Sequence, residues 1–178
     1  MTLRKKVNSE AIQLAALHII ETQGVAALSM RTLAGSLGIK APSLYDHVKN
    51  RDQVIAMVQS AGLESFGEGF LNAGESIDDK VQFYRRWAHQ NRNLYPIVFQ
   101  QKLHRGLITP GLESKVLGYV VEAAGGSHVR ARAIWSQLHG LVDLELQGRL
   151  PDDADMDKTW DQVTIGIQAL LKSSSKSK

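Results

Sequence analysis

Residues 28–54 read LSMRTLAGSLGIKAPSLYDHVKNRDQV, which places a helical stretch, a glycine turn and a second short helical stretch within a single stretch of chain. Leu33, Ala34 and Leu37 recur at helical spacing behind Ser29, whose hydroxyl can accept from an orphan first-turn amide, and Gly38 supplies the stop. Ile39, Lys40 and Ala41 make the turn, and Pro42 stands where a first-turn proline gives up no hydrogen bond. The spacing predicts a brief third helix over residues 43–47 with Leu44 in the core. Two short helices joined this tightly sit at an angle, with the leading edge of the second one exposed.

Helical periodicity extends over nearly the whole chain, with no sustained period-two alternation bounded by hairpin turns, so the expected fold is all-α with about nine helices. A first helix starts at Asn8 or Ser9, carries Ile12, Ala15, Ala16 and Ile19 inward, and stops at Gly24. A longer fourth helix begins beyond Asn50 with Val54, Val58 and Ala61 inward, and the glycines at 62, 67, 69 and 74 weaken the case for its continuing unbroken. Near the end, residues 127–148 and 155–172 are each strongly apolar. Ile134, Leu138, Leu141 and Val142 form one stripe, widened by Ala133, Trp135 and Leu144, and the last helix carries Trp160, Val163, Thr164, Ile167, Leu170 and Leu171. A helix apolar on more than one side needs a partner on both.

The formal net charge is +3, and its distribution matters more than its size. Residues 1–52 hold seven Lys/Arg against four Asp/Glu, and the remaining residues hold fourteen of each, so the whole excess lies in the head. A basic head is suited to phosphate, where neutralisation releases counterions. The chain has no cysteine, which excludes disulfides, thiolate metal sites and a thiol nucleophile and fits a cytoplasmic setting. No long uninterrupted apolar run suggests a membrane span.

The blocks AALHIIETQGVAALSM, RTLAGSLGI and LYDHVKNRDQV together resemble the N-terminal helix-turn-helix domain of the TetR family of transcriptional regulators, with Val48 replacing the usual aromatic at an inward position. That resemblance implies a double-stranded DNA operator as partner, with the second helix of the motif in the major groove. Lys40, Ala41, Pro42 and Ser43 then form the leading edge toward the bases. Tyr45, His47 and Lys49 present polar tips to phosphate, as do Ser29, Arg31 and Thr32 from the preceding helix, Ser29 through its amide if its hydroxyl is capping. Ala41 and Pro42 offer only apolar contact and Ser43 pairs ambiguously, so the operator sequence is not legible.

Further along, Trp135, His139 and Gly140 resemble the Trp and His-Gly signature of one class of TetR-family C-terminal domains, and LYPIVFQ at 94–100 resembles its upstream segment. The implied organisation is a DNA-binding domain at 1–52, a ligand-binding and dimerisation domain at 53–172, and a disordered polar tail at 173–178. A homodimer would form through the last two helices, since paired half-sites require a two-fold partner. Aromatics with a few polar tips over residues 66–104 suggest a pocket for a small apolar or aromatic effector, with Trp87, Phe99, Trp135 and His139 as its candidate lining, although such residues also fill ordinary cores. The runner-up reading keeps the DNA-binding dimer and makes the body a docking module without an effector. Six scattered histidines, no HExxH motif and only the isolated His139–Asp143 pair argue against a metal, and nothing proposes a cofactor, a catalytic triad or an enzyme.

Overall fold

The computed structural model describes residues 7–173. Every regular element among them is helical: α1 (Ser9–Gln23), α2 (Met30–Ser36), α3 (Ala41–Leu44), α4 (Arg51–Asn72), α5 (Ile77–Gln90), α6 (Leu112–Ala123), α7 (His128–Leu146) and α8 (Met156–Ser173). A 3₁₀ turn at Val25–Ala27 and a π-helical turn at Pro96–Gln100 complete the set. None of these helices is long and apolar enough to cross a membrane.

Local chemistry accounts for most of the boundaries. Asn8 caps α1 by accepting from the Ala11 amide at 2.8 Å, and Gly24 ends it at φ 79°, a conformation that penalises any side chain. α3 begins at Ala41 and ends at Leu44, one turn before the expected 43–47 span closes. Pro42 presets the first turn, and after Leu44 the chain tightens into i→i−3 bonds, His47 N to Leu44 O at 3.0 Å among them, as Val48 enters the core. α8 runs through Ser173, so that residue belongs to the helix and not to the expected tail; 174–178 lie outside the described residues.

α4 continues unbroken through Gly62, Gly67 and Gly69. Its glycines are packing sites: a methyl group at Gly62 would strike Val98, at Gly67 the side chain of Val116, and at Gly69 the ring of Phe83. Each glycine costs a helix about 1 kcal/mol relative to alanine, and close packing of the neighbour's side chain offsets it.

The chain divides into two compact units. The first comprises the residues up to Glu64 together with Asn91–Leu112, so the packing unit that contains the head extends well past residue 52. Gln59, fully buried, holds it together: its Nε2 donates to Ile97 O and Lys102 O, both at 3.0 Å, and its Oε1 accepts from the His104 amide at 3.0 Å. Ser60 Oγ accepts from Thr109 N at 3.0 Å, and Asn93 Nδ2 donates to Glu21 O at the end of α1 at 2.9 Å.

The second unit comprises Ser65–Gln90 and the chain from Glu113 onward. Phe66 lies at its centre, with the rings of Phe70, Phe83, Tyr84, Trp87 and Trp135 all within 5.9 Å of its own, centroid to centroid. Glu145 on α7 accepts from Arg85 of α5 (2.6 Å) and from the Trp160 indole of α8 (2.9 Å), and Arg85 also donates to Asp157 (2.7 Å). Burial alone would raise the Glu145 pKa, but the donors Arg85, His89 and Trp160 hold it below the usual carboxylate range.

Candidate nucleic-acid interface and apolar cavity

The head presents a continuous polar surface over an apolar anchor. Leu33, Ala34, Leu44 and Val48 are buried, whereas Arg31, Lys40, Pro42, Ser43, Tyr45, His47 and Lys49 are exposed and Ala41 is half-buried. Val48 therefore fills the inward position despite its smaller side chain. Tyr45 is 53% exposed, which makes its ring available to an outside partner and not a core residue.

Ser29 and Thr32 are committed differently from the expectation. They form a reciprocal capping box: Thr32 N donates to Ser29 Oγ at 3.1 Å and Ser29 N donates to Thr32 Oγ1 at 2.9 Å. The Thr32 hydroxyl also donates to Ala27 O at 2.7 Å. The Ser29 amide, expected to serve phosphate, is therefore already engaged, and these two residues hold the entry to α2 in place.

Arg51 was counted only as head charge, yet its Nε donates to Leu28 O at 3.0 Å and its guanidinium reaches Val25 O at 3.4 Å. It pins the link between α1 and α2 to the start of α4. The start of α4 is itself capped, Gln53 N donating to Asn50 Oδ1 at 3.0 Å and Gln53 Oε1 accepting from Lys49 N at 2.8 Å. Lys49 is thus held by its backbone while its ammonium stays in solvent.

In the second unit a slot of about 20 Å³ lies among α5, α6 and α7 and the end of α4, lined by Phe70, Lys80, Tyr84, Val120, Ala131 and Trp135, among others. That is room for about one water molecule. Of the four expected pocket residues only Trp135 lines it. Trp87 donates to Ser65 Oγ at 3.4 Å, and Phe99 belongs to the first unit, its ring 5.4 Å from that of Tyr95. His139 stacks on Trp135 and lies 3.3 Å from the Tyr84 hydroxyl, and burial lowers its pKa against the raising effect of Asp143. Phe66, at the centre of the cluster, meets the rings of both Trp87 and Trp135. Lys80 carried no signal beyond being a cation beside two aspartates.

A family model described as tetracyclin repressor-like, C-terminal domain matches residues 80–165. An uncharacterised HTH-type transcriptional regulator of Mycobacterium tuberculosis, Rv0681, is 27% identical over 180 residues, which is 92% of this chain and 81% of that protein. Among solved structures, the regulatory protein SCO4313 superposes with a TM-score of 0.74 at 20% identity, over 89% of this chain and 94% of that one. A TetR variant of Acinetobacter baumannii in complex with minocycline superposes at 0.64 with 17% identity, over 96% and 98%. At these identities the structures speak for the fold alone.

Proposed function

We propose that the chain is a TetR-family transcriptional regulator, a homodimeric repressor whose head reads a double-stranded DNA operator and is released from it by a small apolar or aromatic effector. The observation that carries the DNA reading is the exposed row from Lys40 to Ser43, flanked by Tyr45, His47 and Lys49 and held by the buried Leu44 and Val48. Lys40, Ala41, Pro42 and Ser43 approach base edges; Arg31, Tyr45, His47 and Lys49 grip phosphate. Ser29 and Thr32 act by holding α2 at the angle this requires.

Dimerisation through α7 and α8 is supported by their outer faces. Val129, Ala133, Gly140 and Leu144 on α7, and Ile165, Gly166 and Ala169 on α8, are all exposed in the single chain. Gly140 and Gly166 sit within helices with open space where a side chain would project. Among the described residues nothing calls for glycine there, and each costs about 1 kcal/mol relative to alanine. Close approach of a second copy's helix supplies the reason.

An effector that prefers one conformation of the second unit would shift α4, which runs from that unit into the first. The small volume of the slot favours a second reading, in which the body is a docking module without an effector. Selection of bound DNA from a random pool, repeated with candidate ligands, tests both. Recovery of no consensus sequence sinks operator reading; a consensus that no ligand weakens favours the docking module.

A further inference from the structure

We propose that the slot of the second unit takes a small apolar acid, its alkyl or aryl part among Val81, Val120, Ala131 and Ile134 and its carboxylate on Lys80. This rests on the effector reading above and narrows it to a chemical class.

The lining is apolar except for Tyr84 and Lys80, and it contains no aspartate or glutamate. A cationic guest would be desolvated there beside another cation, with no counter-charge. An anionic guest meets the opposite situation. The Lys80 ammonium donates to the carbonyl oxygens of Phe70 and, at 3.1 Å, Leu71, and it lies 5.0 Å from the centroid of the Phe70 ring. The neighbouring Asp79 carboxylate is turned to Ser76, accepting from its hydroxyl at 2.6 Å and its amide at 3.3 Å. Lys80 is therefore a cation whose hydrogen bonds go to neutral carbonyls, and a carboxylate is the stronger acceptor.

The exchange has a structural consequence. Phe70 and Leu71 lie in the last turn of α4, so Lys80 now holds the carboxyl end of that helix, where a cation also meets the favourable end of its dipole. Phe70 is at once the ring under Lys80 and part of the slot's wall. A carboxylate that draws Lys80 away frees that ring and lets the slot widen beyond its resting 20 Å³ while it loosens the end of α4. Opening of the slot and release of the helix are one event.

The test titrates octanoate, 1-octanol and octylamine into the full chain, read by tryptophan fluorescence, since Trp135 lines the slot, and by thermal unfolding. Octanoate is expected to bind at least about tenfold more tightly than octanol, with octylamine weakest. Lys80→Met keeps the stem and drops the charge, and should bring octanoate to the octanol level; Lys80→Arg should keep the acid preference. Absent octanoate binding, equal binding of the three probes by the unaltered chain, or an acid preference that survives in Lys80→Met overturns the inference. Operator affinity in the same samples separates the two claims. A Lys80-dependent acid preference with unchanged DNA affinity leaves the site standing and sinks the effector reading, whereas DNA release by octanol and octanoate alike, in both the unaltered chain and Lys80→Met, does the reverse.

Discussion

Gln59 shows how much one side chain can decide. It is the partner of two carbonyls and an amide in the π-helical turn and the segment after it, and no part of it reaches solvent. Gln59→Leu would take this partner from one buried and two part-buried groups, which should cost about 3 kcal/mol in urea unfolding. Early loss of hydrogen-exchange protection at the His104 amide is the local check; unchanged protection would show that the segment is held by packing alone. His139 makes a second prediction. Burial lowers its folded pKa below 6.5, so it favours the folded state above that pH, and the contribution is lost as pH falls through the folded value. A ring titration by NMR with a midpoint at or above 6.5 would contradict this.

At the scale of elements, the glycines of α4 and the ion cluster of α7 do complementary work. The glycines bring Val98, Val116 and Phe83 onto the helix surface, so Gly69→Ala should cost about 1–3 kcal/mol by overpacking, even though alanine is the better helix former. Glu145, 11% exposed, joins α7 to Arg85 and His89 on α5 and to Trp160 on α8. Glu145→Gln removes the charge facing Arg85 while leaving it a carbonyl acceptor and Asp157, and should cost about 1–3 kcal/mol. The folded pKa of Glu145 lies below 4.5, so its stabilisation is complete above that pH and is lost as pH falls through the lower, folded value. Stability measured between pH 7 and 3 should therefore fall less steeply in Glu145→Gln. For the outer faces, Ile165→Glu places a charge where the proposed two-fold contact lies. Monomer by sedimentation, with unchanged helical content, is the expected outcome, and an undisturbed dimer would move the contact elsewhere.

Across the whole molecule, charge follows the two packing units more closely than the sequence halves. Over the full sequence the first unit carries ten Lys/Arg against five Asp/Glu and the second eleven against thirteen. Residues 91–112 contribute three of the first unit's cations and no acid. The second unit is therefore slightly acidic, 11 − 13 = −2, an asymmetry that would favour approach of a polyanion to the first unit. Operator affinity should fall steeply with salt, and Lys49→Ala should weaken binding about equally across sequences while reducing the log–log salt slope by roughly one. A salt-independent Kd would argue against phosphate contacts as the main grip.

The periodicity, the Asn8 and Ser29 caps and the stop at Gly24 were legible because each depends on residues within a turn or two of each other. The same locality made the helix-turn-helix readable, including the inward Leu44 and Val48. Long-range packing decided the rest. Gly62, Gly67 and Gly69 look like breaks until Val98, Val116 and Phe83 come to rest on them. Trp87, Phe99, Trp135 and His139 look like one set until the fold assigns Phe99 to the other unit and seats Phe66 among the remaining rings. The sequence by itself determined that the chain is helical and where its exposed turn between two short helices lies, since backbone hydrogen bonding and capping act over a few residues. Only the tertiary structure decided which distant side chains share a core, that residues 91–112 return to the head, and that Lys80 stands beside the apolar slot, because those depend on contacts between residues tens of positions apart.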